Sequence, residues 1–213
     1  MSGTEAIDDL ELAALISSKI CHDVIGPVGA IYNGLEVLDE DSDEESRAYA
    51  LTVIRNFTEQ ASAKLQFARF AFGAAGSAGS VIDLSNAEAI SRGFFGAGKQ
   101  KLDWQVPRGH MTKDYVKLLL NMLAVAQTAL PHGGDISVSL KGPLERPELY
   151  VLCKGPKARV PVHLAEFLSG ARKNGLDPLS IQSYYTTRLA QTAAMRLTVA
   201  MDGPDVVMKA LPA

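Results

Sequence analysis

Residues 17–38, SSKICHDVIGPVGAIYNGLEVL, decide how the first third of the chain folds. Ser17, Cys21, Val24, Val28, Ile31, Leu35 and Leu38 recur at alternating four- and three-residue spacings, which lines them along one helix face. The run ends at Asp39-Glu40-Asp41-Ser42-Asp43-Glu44-Glu45, where like-charge repulsion favours a solvated turn. Ser42 followed by Glu45 reads as a capping box that starts a second helix. There Leu51, Ile54, Thr58, Ala61, Leu65, Ala68 and Phe72 repeat the spacing, with Cys21, Val24 and Leu65 expected to face the core. Two such helices make an antiparallel hairpin that leaves apolar surface uncovered, and a homodimeric four-helix bundle is the simplest way to bury it.

The small-residue stretch Gly73-Ala74-Ala75-Gly76-Ser77-Ala78-Gly79-Ser80 cannot pack as an element of its own and divides the chain. We therefore expect a helical hairpin over residues 1–74 and an α/β domain over residues 75–213. In the latter, Val81–Leu84 and Leu102–Val106 read as strands around a helix near Ala87–Phe95, and Tyr115–Leu130 reads as an amphipathic helix. Ile136–Leu140 and Leu149–Cys153 read as paired strands. A helix over Ser180–Ala194 and a hairpin of Leu197–Met201 with Val206–Ala210 complete an α+β layer with helices on one face.

Composition narrows the function classes. Of 213 residues, 47% are hydrophobic and 21% charged, a globular composition, and the net charge of −3 offers no broad basic face for nucleic acid. Two cysteines make at most one bridge, which fits a reducing cytoplasm, and Met1–Asp9 has no basic-then-apolar signal pattern. No uninterrupted apolar run reaches the roughly 20 residues that span a bilayer, so neither membrane nor nucleic acid is an expected partner. The near P-loop at Gly93–Gln100 lacks the Ser or Thr hydroxyl and follows a helix, so it is set aside. His110, His132 and His163 have no metal-ligand spacing.

His22-Asp23-Val24-Ile25-Gly26-Pro27 carries the chemistry. His22 lies one step off the apolar stripe and points to solvent, where a partner protein reaches it. A neutral imidazole attacks phosphorus without first losing a proton, and Asp23 beside it is placed to bond the other ring N–H. Pro27 removes the N–H that would bond the Asp23 carbonyl, so the helix is disturbed just below the histidine.

This His-Asp-aliphatic-x-x-Pro order on the first helix of a hairpin resembles the phosphoacceptor box of histidine kinase dimerisation domains. Val81–Leu84, Leu102–Val106, Lys117–Leu123 and Gly133–Val138 resemble the successive landmarks of a Bergerat-type ATP-binding domain. The nucleotide residues depart from that pattern. Val125 and Thr128 stand where the family has a magnesium-binding Asn and a Lys, Gly155, Lys157 and Arg159 replace the Asp-x-Gly-x-Gly motif, and Leu176-Asp177-Pro178-Leu179 replaces the Gly-rich lid. A phosphoacceptor hairpin fused to a nucleotide-blind domain is similar to the histidine phosphotransferases of alphaproteobacteria.

The resemblance implies a cytoplasmic homodimer. It would take a phosphoryl group from the receiver domain of a hybrid histidine kinase onto His22 and pass it to response regulators that control the cell cycle. It implies no cofactor, no metal and no ATP on this chain, with magnesium on the partner receiver. Ser18, Lys19, Ile25, Gly26 and Gly29 share the face of His22, Lys64 comes level with it from the second helix, and Arg172 and Lys173 offer charge from the distal domain. These are the candidate receiver contacts. The competing reading is a non-catalytic kinase-derived dimer that sequesters a response regulator, which needs the bundle but not His22.

Overall fold

The computed structural model of the protein describes residues 7–40, 43–73, 80–96, 98–171 and 175–213. Helices α1 (Asp9–Asp39) and α2 (Glu44–Ala71) form the hairpin. Asp8 caps α1, and the carboxylate of Asp43 accepts the Ser46 N–H at 2.9 Å at the start of α2. The cap is thus Asp43, while Ser42, the residue expected there, lies outside the described residues. Arg47 donates to the Leu38 carbonyl at 2.8 Å, which ties the start of α2 to the end of α1.

The helices close on a narrow seam of small residues. A Cβ on Gly34 would lie 2.8 Å from Ile54 Cγ1, so the approach of α1 to α2 requires glycine there. The long stripes divide between two directions. Val24, Ile31 and Leu38 on α1, and Ile54, Ala61 and Ala68 on α2, turn toward the hairpin interior. Cys21, Val28 and Leu35, with Leu51, Thr58 and Leu65, remain exposed in this chain. The core-facing placement expected for Cys21 and Leu65 is therefore corrected: two helices alone share one line of contact, and alternate members of each stripe lie to the side of it. By length and composition α1 is apolar enough to cross a membrane.

The α/β domain is a five-stranded sheet in the order β2 (Gln100–Gln105), β4 (Gly134–Lys141), β5 (Glu148–Lys154), β7 (Asp205–Pro212), β6 (Met195–Asp202), with β2 parallel to β4 and the remaining neighbours antiparallel. Register aligns apolar rows across it: Ile136, Cys153 and Val206; Val138, Val151 and Met208; Leu140, Leu149 and Ala210. Alternate residues of β5 are buried, the pattern of a sheet covered on one face. That cover is α3 (Leu84–Phe95), α4 (Lys113–Ala129), α5 (Val162–Ser169) and α6 (Ile181–Thr192). The centre of the core is α4, with Leu118, Leu119, Leu120, Met122 and Leu123 fully buried.

Three elements differ from the sequence reading. Val81–Asp83 is a strand, β1, but it pairs with the three-residue β3 (His110–Thr112) in a separate two-stranded sheet, and Leu84 already begins α3 because the Asp83 carboxylate caps it through the Ser85 N–H. The eight-residue α5 was not expected. It is too short to show a helical period, and it ends on Gly170 in the left-handed conformation at φ 70°.

Candidate functional site

His22 lies mid-way along α1 with 74% of its side chain exposed. Ser18, Ile25, Gly26 and Gly29 are exposed beside it, and Ile25 is 70% accessible. A Cβ on either Gly26 or Gly29 would meet nothing within 4 Å, so neither glycine is required by packing within the chain. Tyr32 extends this face by another turn and is also exposed. It was missed, although Ser18, His22, Ile25, Gly29 and Tyr32 keep the same four-and-three spacing as the apolar stripe.

Asp23 organises the surroundings of the imidazole. Its Oδ1 is 3.5 Å from His22 Nδ1, within ion-pair reach but long for a hydrogen bond. Its other carboxylate oxygen pairs with the Lys19 ammonium one turn earlier. Its backbone carbonyl accepts a hydrogen bond from Lys64 Nζ at 2.9 Å, across the hairpin from α2. This carbonyl would bond the N–H of residue 27 in an unbroken helix, and Pro27 has none.

Below His22 a cleft of about 380 Å³ separates the hairpin from the α/β domain. His22, Asp23 and Lys64 line one wall, while Thr128, Gln182 and Leu179 line the other. Leu179 is 74% exposed, and its only sequence signal was its position in the replaced lid. Around it the segment is a tight cap: the Asp177 carboxylate accepts the N–H groups of Leu179 at 3.0 Å and Ser180 at 2.8 Å, and Ser180 Oγ accepts the Asp177 N–H at 3.1 Å. Arg172 and Lys173 lie outside the described residues.

The junction of the two units is polar and buried. Asn121 of α4 donates to the Ala71 carbonyl at the end of α2 at 2.9 Å, and its Oδ1 accepts from Gln182 Nε2 at 2.6 Å. Lys117 Nζ is 3.5 Å from the Phe72 carbonyl, and burial holds this ammonium below the ordinary lysine range, with Lys113 adding to the effect. Helix α2 thus ends in carbonyls met by α4, which answers the orphan acceptors of a helix C-terminus. Phe67 of α2 stacks on Phe94 of α3 with ring centroids 3.8 Å apart.

The residues at the positions of the nucleotide motifs are divided between the core and the cleft, which Thr128 and Leu179 line. Val125 is fully buried in the core. A Cβ on Gly155 would lie 2.5 Å from the Gly133 carbonyl oxygen, and the Arg159 N–H donates to the Ala129 carbonyl at 3.0 Å. In the near P-loop, Gln100 has a structural part, since its Nε2 donates to the Leu130 carbonyl at 2.9 Å. Among the described residues no group of three or more His, Cys, Asp or Glu side chains converges as a metal site.

Comparison with known proteins gives the family. The family model described as histidine phosphotransferase C-terminal domain matches residues 84–205. Over 211 residues the chain is 42% identical to the protein phosphotransferase ChpT of Brucella abortus (strain 2308), a match that spans 99% of this chain and 100% of the relative. A solved structure of a bacterial phosphotransferase, determined at 1.7 Å, superposes with a TM-score of 0.89 at 40% identity, covering 98% of this chain and all of the other. An exposed histidine on a helical hairpin joined to an α/β domain agrees with these matches: the chain belongs to the histidine phosphotransferases and is a protein phosphotransferase of the phosphorelay type, not an ATP-dependent kinase.

Proposed function

We propose that His22 is the phosphoacceptor. It takes the phosphoryl group from the aspartyl phosphate of a receiver domain in a hybrid histidine kinase and gives it to the aspartate of response regulators that govern the cell cycle. In the forward step a ring nitrogen forms the N–P bond as the donor's O–P bond breaks and its carboxylate departs. Asp23, on the Nδ1 side, favours the tautomer with the proton there and steadies the positive charge that develops on the ring. Nε2 is then the attacking atom. Magnesium sits on the receiver, and ATP takes no part. The observation that carries the reading is the open imidazole with a carboxylate oxygen 3.5 Å from Nδ1, on a face whose glycines meet nothing in the chain.

The protein acts as a cytoplasmic homodimer, with residues 1–74 as the dimerisation and transfer unit and residues 75–213 as a kinase-derived partner domain. The support is the seven-residue recurrence of exposed Cys21, Val28 and Leu35 and of Leu51, Thr58 and Leu65, the seam of a four-helix bundle. Lys19, His22 and Asp23 also interrupt the apolar character of α1 midway along its length.

The test is transfer from a radiolabelled phospho-receiver. Label should appear on the wild-type chain and vanish in His22→Ala with the dimer intact. Asp23→Asn should slow transfer by roughly 10²–10⁴-fold. Relay by His22→Ala would favour a different acceptor, and a wild-type chain that binds the receiver without taking label would make it a sequestering module. ATP with magnesium should leave the melting temperature unchanged, since a ligand of the folded state alone must raise it.

A further inference from the structure

We infer that Lys64 is a positioning residue for phosphoryl transfer, its ammonium replacing the amide N–H that Pro27 lacks and holding the backbone beside His22 against α2. The inference rests on His22 being the acceptor. In a regular helix the Asp23 carbonyl would be bonded by residue 27, four positions on. Proline offers no N–H and its ring crowds that oxygen, so the turn carrying His22 and Asp23 loses its own tie. Lys64 supplies another from a residue 41 positions away, at 2.9 Å and partly buried. The substitution changes what the turn is fastened to. A helical bond would fix it to the next turn of α1, whereas the Lys64 bond fixes it to the second helix and sets the rotation of α1 at the level of the imidazole.

Asp23 is consequently held at both ends. Lys64 takes its carbonyl and Lys19 takes a carboxylate oxygen, leaving Oδ1 toward His22 Nδ1. An ammonium has three donors, so Lys64 keeps two N–H groups beyond the carbonyl bond, on a side chain that lines the same cleft as His22. A residue engaged in this way acts on the turnover of bound receiver more than on its capture.

Rapid-quench transfer from a radiolabelled phospho-receiver tests this with the wild type and four variants. Lys64→Met keeps the stem and loses the donor and the charge. It should lower kcat by roughly 10- to 100-fold, the scale of a small misplacement of reacting groups, with KM for the receiver unchanged. Lys64→Arg should recover most of the rate. Pro27→Ala restores an N–H for the same carbonyl, so in that background Lys64→Met should cost less than about threefold, a coupling expected only of residues that share a partner. A raised KM with unchanged kcat would make Lys64 a receiver contact and overturn the inference, as would an equal loss of rate in both backgrounds. If wild type is labelled on His22 and Lys64→Met transfers normally, only this inference fails. If wild type takes no label, the acceptor assignment fails and this inference with it.

Discussion

The hairpin and the α/β domain use apolar residues to opposite ends. In α4, 11 of 17 residues are buried, and the sheet beneath it is matched row by row. In α1, 2 of 31 residues are buried, Pro27 and Gly34, and in α2 4 of 28. The domain has buried most of its apolar side chains, with Phe67 and Ala71 of α2 completing its core, whereas the hairpin has closed one seam and holds two further faces open. One is the heptad line through Val28 and Leu35, and the other carries His22, Ile25 and Tyr32. A helix with so little internal burial draws its stability from packing against something else.

The largest expected effect breaks the domain without touching the seam. Leu123→Ala removes a fully buried side chain from α4 and should cost about 2–5 kcal/mol in urea unfolding, with the dimer retained in light scattering. Val28→Asp should do the reverse, giving monomers with an unaltered sheet. A dimeric Val28→Asp would mean that the open heptad line is not the subunit interface.

Two glycines sharpen the distinction within α1. Gly34→Leu must displace Ile54, 2.8 Å from the added Cβ, and should destabilise by about 1–3 kcal/mol. Gly29→Arg meets nothing in the chain and should leave stability within about 0.5 kcal/mol, while calorimetry finds weaker receiver binding. Normal binding by Gly29→Arg would move the docking face elsewhere.

The cysteines report the same contrast through chemistry. Burial pushes the Cys153 thiol up to about 12, so at neutral pH it should resist alkylation until the domain unfolds. Cys21 is exposed in the single chain and lies on the open seam, so its alkylation should slow as protein concentration rises and dimers form. A rate independent of concentration would leave Cys21 outside the interface.

The smallest effect is shared by both units. Hydrogen bonds from Ser46 hold the pKa of Asp43 below the ordinary 3.8, and bonds from Ser85 do the same for Asp83. Each cap's contribution is present above the unfolded value and is lost as pH falls through the lower folded value. Asp43→Asn and Asp83→Asn should each flatten the fall in melting temperature below about pH 4, and an unchanged acid slope would remove the caps from the account.

The sequence carried most of the architecture because its signals were long or periodic. The stripes from Ser17 to Phe72 gave both helices, and the apolar run around Leu118–Leu123 gave the centre of the domain. What escaped was short or non-local. Three residues of β3 and eight of α5 carry no period, and the partners of Asn121, Ala71 and Gln182, lie 50 and 61 positions away in the chain. Spacing put Cys21 and Leu65 on the right stripes but could not divide each stripe between an intrachain seam and an open one. Lys64 was legible as level with His22, but the carbonyl it serves follows from Pro27 only once the helices are set side by side.

The Asn121 and Lys117 contacts have a mechanical consequence. The end of α2 is tied to α4 at two successive carbonyls and braced by the Phe67–Phe94 stack, so the hairpin and the domain meet in one packed joint. His22 and Leu179 stand across the cleft from each other on the two units that this joint connects.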